Sequence, residues 1–243
     1  MNNPDCGVII VAAGRGERMG GHPPKQFRLL GGIPVFEWSL KFFASQPRVS
    51  HIALVVPPSQ GIELKVSLRK SAYATRAIVV SGGERRQDSV ENGMRALPSS
   101  CALIAVHDAA RPFPPLDFDA VCVAAKEFGA ALFACPLSDT VKRGNEQAFA
   151  VETLDRTTLW AAQTPQVFQR ELLARALDYC REHAIDVTDD AAAVALLGTP
   201  AKLVMGNRWN IKLTNPDDWF VAEALALQEH SRRQFHTGVQ EAS

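Results

Sequence analysis

The sequence predicts an α/β fold in which helices cover both faces of a mostly parallel sheet. Short apolar runs, typical of buried strands, alternate with segments of helical periodicity from residue 7 to about residue 134. Strands separated by helices pair in parallel, and a parallel sheet needs a layer of helices on each face. A glycine-rich stretch directly follows the first apolar run, where a phosphate-binding loop is common. This combination is typical of a Rossmann-like architecture.

Five apolar runs are predicted to form strands of this sheet. They are residues 7–13, 52–56, 77–80, 103–106 and 131–134. Helices are predicted between them where apolar residues recur at helical spacing, as at Phe36, Leu40 and Phe43, and over residues 117–127. The sheet and its helices therefore account for the first half of the chain.

The pattern changes after Pro136. Residues 137–160 are more polar, and two β-like runs, 139–143 and 148–153, flank the turn residues Gly144-Asn145-Glu146. This arrangement predicts an extended β-hairpin arm. The segments beyond it are predicted as helices at 169–183, 189–197 and from residue 216, and as strands at 202–205 and 210–213. We expect one domain over residues 1–228 and a flexible polar tail over residues 229–243.

Composition and charge argue against several classes of protein. The 243 residues are 47% apolar and 21% charged, as in ordinary globular domains, and 26 basic residues balance 26 acidic ones. Proteins that coat nucleic acid or an anionic membrane usually carry a basic surplus, so neither partner is expected. No apolar run reaches the ~18 residues of a membrane span, and the N-terminus lacks the basic region of a secretory signal. Five cysteines without a C-x-x-C pair suit the reducing cytoplasm, where we expect the protein.

The glycine-rich stretch, residues 14–20, leaves three interpretations open. A dinucleotide site needs an acidic residue at the end of the second strand, but that strand ends in Val55-Val56-Pro57-Pro58 and the third glycine is misplaced. A triphosphate site is favoured by Arg18 and Lys25, which bring positive charge to backbone N–H groups. An ordinary turn with solvated basic side chains fits the loop alone equally well. The stretch also lacks the G-x-x-x-x-G-K-[ST] pattern of P-loop enzymes.

Segments along most of the chain together resemble those of a known enzyme family. They are residues 12–20, 24–27, 82–85, 88–90, 106–112, 139–142, 155–156, 159–160, 162–166, 188–190 and 210–214. The set is similar to that of the 2-C-methyl-D-erythritol 4-phosphate cytidylyltransferases, which are sugar-phosphate nucleotidyltransferases. The match covers about residues 7–220.

The resemblance implies a reaction between two anions. CTP would react with the phosphate of 2-C-methyl-D-erythritol 4-phosphate to give 4-diphosphocytidyl-2-C-methyl-D-erythritol and pyrophosphate. The attacking phosphate, whose second pKa is about 6, is already largely ionised at pH 7, so no strong general base is required. The resemblance also implies Mg²⁺ or another divalent cation, held mainly by the CTP phosphates, and no residue is assigned to the metal as a ligand.

The family's functional residues are carried over onto the matching positions of this chain. The implied catalytic residues are Arg18, Lys25, Arg156 and Lys212. The implied nucleotide-binding residues are Ala12, Ala13, Gly14, Gly82, Gly83, Asp88, Ser89 and Ala109. The implied sugar-phosphate-binding residues are Asp108, Arg111, Thr140, Thr164 and Thr188. Arg156 is implied to act from the arm of a neighbouring subunit, so a homodimer formed through residues 137–160 is expected.

Alternatives remain for the function and for single residues. A ribitol-5-phosphate cytidylyltransferase would share the nucleotide loops and differ on the acceptor side. A non-catalytic nucleotide-sensing protein would be expected to lack Arg18, Lys25 or Lys212, and all three are present. We expect His107 to be a packed histidine, and Asp189-Asp190 to be a helix N-terminal charge rather than a metal site.

Overall fold

A seven-stranded sheet forms the centre of the fold in the computed structural model, which describes residues 5–14 and 24–240, with side chains as far as residue 229. The strands are β1 (Cys6–Val11), β2 (Leu29–Leu30), β3 (Ile33–Pro34), β4 (Val49–Val56), β5 (Ala77–Ser81), β6 (Leu103–Asp108), β7 (Ala130–Pro136), β8 (Lys142–Gly144), β9 (Ala150–Thr153), β10 (Trp160–Gln169) and β11 (Lys202–Met205). The central sheet has the order β11-β7-β10-β6-β1-β4-β5. Its neighbours pair in parallel except β10, which is antiparallel to both β6 and β7. The predicted mostly parallel sheet is therefore confirmed.

Helices cover both faces of this sheet. They are α1 (Val35–Ser45), α2 (Gly61–Arg69), α3 (Arg86–Ala96), α4 (Phe118–Phe128), α5 (Arg170–Glu182), α6 (Asp190–Ala195) and α7 (Pro216–Gln240). Val8 and Ile10 of β1 belong to one apolar cluster and Ile9 to another, because successive side chains of a strand point to opposite faces. The first cluster includes Phe43 of α1 and Phe118 of α4, whereas the second includes residues of α3, α5 and α6. Each fully buried side chain of this size contributes roughly 1.5–3 kcal/mol to stability.

A smaller apolar cluster attaches the C-terminal helix beside the sheet. Its buried members are Leu30, Val35, Trp38, Leu213, Ala222 and Ala226. Leu213 also donates its N–H to the carbonyl of Ala110, which follows β6, at 2.9 Å. These contacts fix the segment that carries Lys212 against the end of β6.

Strand β10, in the middle of the sheet, is not predicted by the sequence pattern. Pro165 interrupts its apolar run, and a proline argues against a central strand because it cannot donate a hydrogen bond to a neighbour. In the structure, the pairing with β7 shifts register between Ala162 and Gln166, so Pro165 lies where the ladder is already interrupted. Helix α2 is also missing from the prediction, since its apolar residues Ile62 and Val66 are exposed and form no buried stripe.

The strand predicted at residues 210–213 is wrong, because this segment is irregular. The N–H of Asn210 donates to the carbonyl of Asn207 and that of Leu213 to the carbonyl of Ala110. These bonds go to separate segments instead of one neighbouring strand. The apolar residues that suggested a strand pack against the C-terminal helix.

The arm predicted after Pro136 is confirmed as a hairpin, with shorter strands than expected. Strands β8 and β9 pair antiparallel in a sheet of their own. Asn145 closes the turn, because its Oδ1 accepts the N–H groups of Gln147 and Phe149 at 3.2 and 2.9 Å. The side chains of Phe149 and Val151 are 69% and 59% exposed.

Two further expectations concern the membrane and the cysteines. In the part of the chain that the structure describes, no helix has the length and apolar character of a membrane span. All five cysteines are buried and carry free thiols.

Candidate active site

A cavity of about 970 Å³ lies at the carboxyl ends of the parallel strands. Its walls follow β1, β4 and β5 directly, and they include the last residue of β6 and the start of α3. Ligands of open α/β sheets bind at this edge. The lining contains nine of the predicted site residues, Ala12, Ala13, Gly14, Lys25, Gly82, Gly83, Ser89, Asp108 and Lys212.

Among the described residues, the other predicted site residues do not line this cavity. Thr140 and Arg156 are exposed on the arm, and Thr188 is exposed just before α6. Arg156 donates within the arm to the carbonyl of Ser138. Asp88, Ala109, Arg111 and Thr164 lie outside the lining. Arg18 belongs to residues 15–23, which lie outside the described residues.

Two glycines let the backbone after β5 approach its neighbours closely, the first loop at Gly82 and the start of α3 at Gly83. A Cβ added to Gly82 would lie 2.4 Å from the Cβ of Ala13, and a Cβ added to Gly83 would lie 2.4 Å from the Cβ of Asp88. The Ser89 hydroxyl accepts the N–H of Gly83 at 3.1 Å and donates to the carbonyl of Arg85 at 3.2 Å. Only glycine fits at either position, and Ser89 fixes the shape of the loop.

Asp88 organises the start of α3 behind this loop. Its carboxylate accepts the N–H of Arg85 at 3.0 Å and pairs with the Arg85 guanidinium at 2.7 Å. The hydrogen bonds from Arg85 hold the pKa of Asp88 below its usual value. In this structure Asp88 therefore shapes the nucleotide loop from outside the cavity.

Gln26 holds the first loop, although it is not among the predicted site residues. Its side-chain amide donates to the carbonyl of Ala12 at 2.7 Å and to that of Gly14 at 2.8 Å. The side chain is buried, so both amide hydrogens are committed to the loop. The signal available in the sequence is its position next to Lys25 in the segment 24–27.

The segments that carry Lys25 and Lys212 meet at the mouth of the cavity. The Lys25 ammonium donates to the carbonyl of Leu213. Asp218 accepts the N–H of Thr214 and that of Asn215, and these bonds together with the nearby charge of Lys25 overcome the effect of burial and lower the pKa of Asp218. Two lysines that are distant in sequence therefore stand on the same side of the site.

Asp108 lies between two cations. Its Oδ2 is 2.7 Å from Lys212 Nζ, and its Oδ1 is 3.4 Å from Arg86 Nη2. Burial alone would raise the pKa of Asp108, but the charges of Arg86 and Lys212 overcome burial and hold it well below its usual range. The Asp108 carboxylate is therefore ionised at neutral pH and forms an ion pair with each of the two cations.

The adjacent residues Asp189 and Asp190 have different roles. Asp189 caps α6, since its Oδ1 accepts the N–H of Ala192 at 2.9 Å, as expected for a helix N-terminal charge. Asp190 is fully buried and forms an ion pair with Arg86 at 2.7 Å. Arg86 and Asp190 are not among the predicted site residues. In the sequence, the adjacent arginines at 85 and 86 fit a solvated helix start as well as a phosphate contact, and Asp190 fits a helix N-terminal charge.

His107 and Thr164 support the backbone of Asp108. The carbonyl of Arg111 can only accept, so His107 Nε2, at 2.9 Å from it, carries the proton. Nδ1 is then an acceptor for the Thr164 hydroxyl at 3.0 Å, and the Thr164 oxygen accepts the N–H of Asp108 at 3.1 Å. Burial lowers the pKa of His107 to about 4, which keeps the ring neutral. The prediction that His107 is a packed histidine is confirmed.

Arg111 joins segments at the base of the site instead of pairing with Asp108. Its guanidinium donates to the carbonyl of Asn210 at 2.7 Å and to that of Ala162 at 3.3 Å. Burial lowers the pKa of Arg111, and its buried Nε has no hydrogen-bond partner among the described residues. Arg111 therefore ties β10 to the segment that carries Lys212.

The site can neutralise phosphates and orient them. Backbone loops held by Gln26 and Ser89 face cations from three segments, namely Lys25, Arg86 and Lys212. Fixed positive groups of this kind stabilise charge that develops on phosphate oxygens during group transfer.

Comparison with known proteins identifies the family. The family model of 2-C-methyl-D-erythritol 4-phosphate cytidylyltransferase matches residues 6–228. The chain belongs to this cytidylyltransferase family. A relative of the same name from Pelotomaculum thermopropionicum is 40% identical over 227 residues, which is 93% of this chain and 95% of the relative. A relative of that name from Geobacillus kaustophilus is 39% identical over 219 residues, which is 90% of this chain and 95% of the relative.

Solved cytidylyltransferases share the fold. The crystal structure of 4-diphosphocytidyl-2C-methyl-D-erythritol synthase from Anaerococcus prevotii has a TM-score of 0.80 at 27% identity, covering 92% of this chain and 96% of that one. The crystal structure of 2-C-methyl-D-erythritol 4-phosphate cytidylyltransferase from Thermus thermophilus has a TM-score of 0.75 at 33% identity, covering 90% of this chain and 98% of that one. Both the sequence resemblance and the predicted architecture are therefore confirmed.

Proposed function

We propose that this chain transfers the cytidylyl group of CTP to 2-C-methyl-D-erythritol 4-phosphate and releases pyrophosphate. Family membership supports the pair of substrates. The observation that carries the proposal is the cavity itself, where a glycine-shaped loop faces Lys25, Arg86 and Lys212. The product, 4-diphosphocytidyl-2-C-methyl-D-erythritol, belongs to isoprenoid precursor synthesis.

The chemistry requires positioning and charge neutralisation. An oxygen of the acceptor phosphate attacks the α-phosphorus of CTP and forms a new P–O bond, while the bond from that phosphorus to the β-phosphate breaks. The bond electrons leave with pyrophosphate, and the acceptor is already ionised, so no proton has to be removed. Lys25 and Lys212 neutralise the meeting anions, and Arg18 is assigned to the same task by resemblance. Loss of one such donor costs about 10²–10³ in rate in other enzymes.

The base is proposed to be recognised by the backbone after β5. Ser89 already uses its hydroxyl hydrogen on the Arg85 carbonyl. The N–H groups of Gly82 and Gly83 are also committed, to the carbonyl of Val56 and to the Ser89 hydroxyl, so the carbonyl groups of the two glycines are the candidates for the amine of cytosine. A site built on such hydrogen bonds rejects an analogue that leaves buried groups unpaired. CTP is expected to be used in strong preference to UTP.

A divalent cation, Mg²⁺ or another, is proposed to arrive with CTP. The described residues contain no group of three or more His, Cys, Asp or Glu side chains that could hold a metal ion. Of the two carboxylates in the cavity lining, Asp108 is paired with Arg86 and Lys212, which leaves that of Glu84. Mg²⁺ typically combines one or two carboxylates with substrate phosphates and water, so the donor set fits an ion held mainly by the triphosphate. When bound, it would neutralise further phosphate charge.

The active assembly is proposed to be a homodimer in which the arm over residues 137–160 serves the neighbouring site. Thr140 and Arg156 are exposed on this arm, and Phe149 and Val151 expose apolar surface beside them. An isolated two-stranded arm is marginal in water, and two-fold dimers are the commonest closed assemblies.

The reducing cytoplasm is the proposed compartment, because the buried thiols are unpaired.

The test measures pyrophosphate release with a panel of substrates. CTP, UTP, ATP and GTP are each combined with 2-C-methyl-D-erythritol 4-phosphate, ribitol 5-phosphate and other sugar phosphates. Release is expected with CTP and the methylerythritol phosphate. Release only with ribitol 5-phosphate would show that this compound, and not the methylerythritol phosphate, is the acceptor. No release with any pair of substrates would contradict the proposed cytidylyl transfer.

A further inference from the structure

The buried carboxylate of Asp190 is paired with an arginine of the active-site cavity. Asp190 has no exposed side-chain surface, and its Oδ2 lies 2.7 Å from Arg86 Nη1. Its Oδ1 has no hydrogen-bond partner among the described residues. Burial raises the pKa of Asp190 and the charge of Arg86 opposes that rise, so Arg86 is the group on which an ionised Asp190 depends.

Arg86 is shared between two carboxylates. Its Nη2 lies 3.4 Å from Asp108 Oδ1, so the guanidinium is closer to Asp190 than to Asp108. The side chain is 27% exposed and lines the cavity. The buried carboxylate therefore draws the cation back from the open part of the site.

The charges alternate from the interior to the cavity mouth in the order Asp190, Arg86, Asp108 and Lys212. The second Asp108 oxygen, Oδ2, is the one that pairs with Lys212 at 2.7 Å. Arginine forms its strongest carboxylate contacts with two parallel N–H groups on both oxygens of one carboxylate. If Asp190 carried no charge, Arg86 would be attracted to Asp108 alone and would compete with Lys212 for that second oxygen.

We propose that Asp190 is a positioning residue for the transfer reaction and acts through Arg86. Its charge holds the guanidinium far enough from Asp108 to leave one Asp108 oxygen to Lys212. Lys212 is thereby fixed at the place where it meets the acceptor phosphate. The kinetic consequences of this proposal rest on the proposed function, whereas its consequence for the position of Lys212 does not.

The main variant is Asp190→Asn, which removes the charge at nearly constant volume. Its matched control is Asp186→Asn, because Asp186 also pairs with an arginine of the same loop, Arg85 at 3.1 Å, but is 76% exposed. For Asp190→Asn we expect the KM for the sugar phosphate to rise, so that kcat/KM falls about tenfold or more, as small displacements of catalytic groups do, with the KM for CTP changed far less. For Asp186→Asn we expect no change beyond about twofold in either.

A double-mutant cycle separates positioning from a general loss of stability. If Asp190 acts through Asp108, then Asp190→Asn should have little further effect in an Asp108→Asn background, whereas independent effects would multiply. A merely structural role would lower the thermal midpoint and leave the KM values of the folded enzyme unchanged. Should Asp190→Asn fail to fold, Asp190→Ser also removes the charge and leaves a hydroxyl that can accept from Arg86, and the same rise in the KM for the sugar phosphate is expected.

A measurement without substrate keeps this proposal distinct from the proposed function. Lysines are reductively methylated with a ¹³C label, and the NMR signal of Lys212 is assigned by its loss in Lys212→Arg. The signal is expected to shift in Asp190→Asn and to stay unchanged in Asp186→Asn. An unmoved signal, additive kinetic effects or an unchanged sugar-phosphate KM would each overturn the positioning role. An inactive wild-type enzyme would count against the proposed function alone.

Discussion

The cavity and the hairpin arm hold their functional side chains in opposite ways. At the cavity, Gln26, Ser89 and Asp190 are buried and hydrogen-bonded within one chain. On the arm, Thr140 and Arg156 are exposed, and the sheet beneath them has only two short strands. The described cavity loops are therefore held by contacts within one chain, whereas a two-stranded arm needs a surface to pack against before its side chains can be fixed.

This difference follows from where each region stands in the fold. The cavity loops follow strands whose apolar side chains are packed on both faces of the sheet. Side chains supported by such elements lose little freedom when a ligand binds, which favours catalysis by fixed charges. The arm is joined to the sheet through β7 and β10 only at its base.

The largest expected effect is on the cavity side of the comparison. Lys25→Ala and Lys212→Ala are each expected to lower turnover about 10²–10³-fold with the fold intact, because each removes a fixed cation from the reacting phosphates. The same loss is predicted for Arg18→Ala from the resemblance alone. Steady-state kinetics and circular dichroism provide the measurement.

Lys41→Ala is the matched control for these variants. Lys41 lies on α1, pairs with Glu37 one helical turn away at 3.5 Å, and is not part of the cavity lining. Its substitution is expected to leave turnover unchanged. If folded Lys25→Ala and Lys212→Ala kept more than about a third of wild-type activity, neither lysine would supply the assigned transition-state charge.

The second prediction tests whether the arm serves another chain. Arg156→Ala and Lys25→Ala, each nearly inactive alone, are mixed under conditions that allow subunits to exchange. If sites are shared across chains, one of the two sites in a heterodimer contains neither substitution, so up to about half of the activity per heterodimer should return. Exchange is verified independently by mass spectrometry of labelled chains. No recovery despite exchange, or full activity of a monomer in sedimentation, would show that each site is made by one chain.

The contrast between the two regions also explains what the sequence could predict. The strands of the first half are predicted within a few residues, because buried parallel strands are continuous apolar runs such as Ile52–Val56 within β4. The arm is predicted because Gly144-Asn145-Glu146 carries a local turn signal. Strand β10 is missed because the register shift that tolerates Pro165 depends on the neighbouring strand and has no local signal.

The same limit applies to the site residues. Lys25 and Lys212 are identified because their motifs resemble those of the family. Asp190 and Gln26 are missed as site residues because their roles depend on partners far along the chain, Arg86 and the carbonyl of Gly14. Such pairings exist only once the sheet brings the loops together.

A third prediction tests the close approach of the two cavity loops. Gly82→Ala is expected to raise the KM for CTP several-fold and to destabilise the protein by roughly 1–3 kcal/mol, because its Cβ would meet the Cβ of Ala13 at 2.4 Å. Gly61→Ala, in α2, is the control, since an added Cβ there meets nothing within 4 Å. Chemical denaturation and initial rates give both quantities. An unchanged KM for CTP in a folded Gly82→Ala enzyme would show that this loop does not touch the nucleotide.

The smallest effect on rate is expected from the protonation of His107, which instead lowers the free energy of unfolding. Burial lowers its pKa to about 4, below the unfolded value of about 6.5, so the folded state resists protonation. The stabilisation is full above about pH 6.5 and is lost as pH falls toward 4, at up to about 1.4 kcal/mol per pH unit and about 3 kcal/mol in all. Urea unfolding of wild type and His107→Gln from pH 7 to pH 4 should therefore give a stability difference that shrinks as pH falls. Titrating groups common to both proteins, including Asp190, cancel in this difference. A constant difference between wild type and His107→Gln over this pH range would mean that His107 is not held neutral behind Asp108.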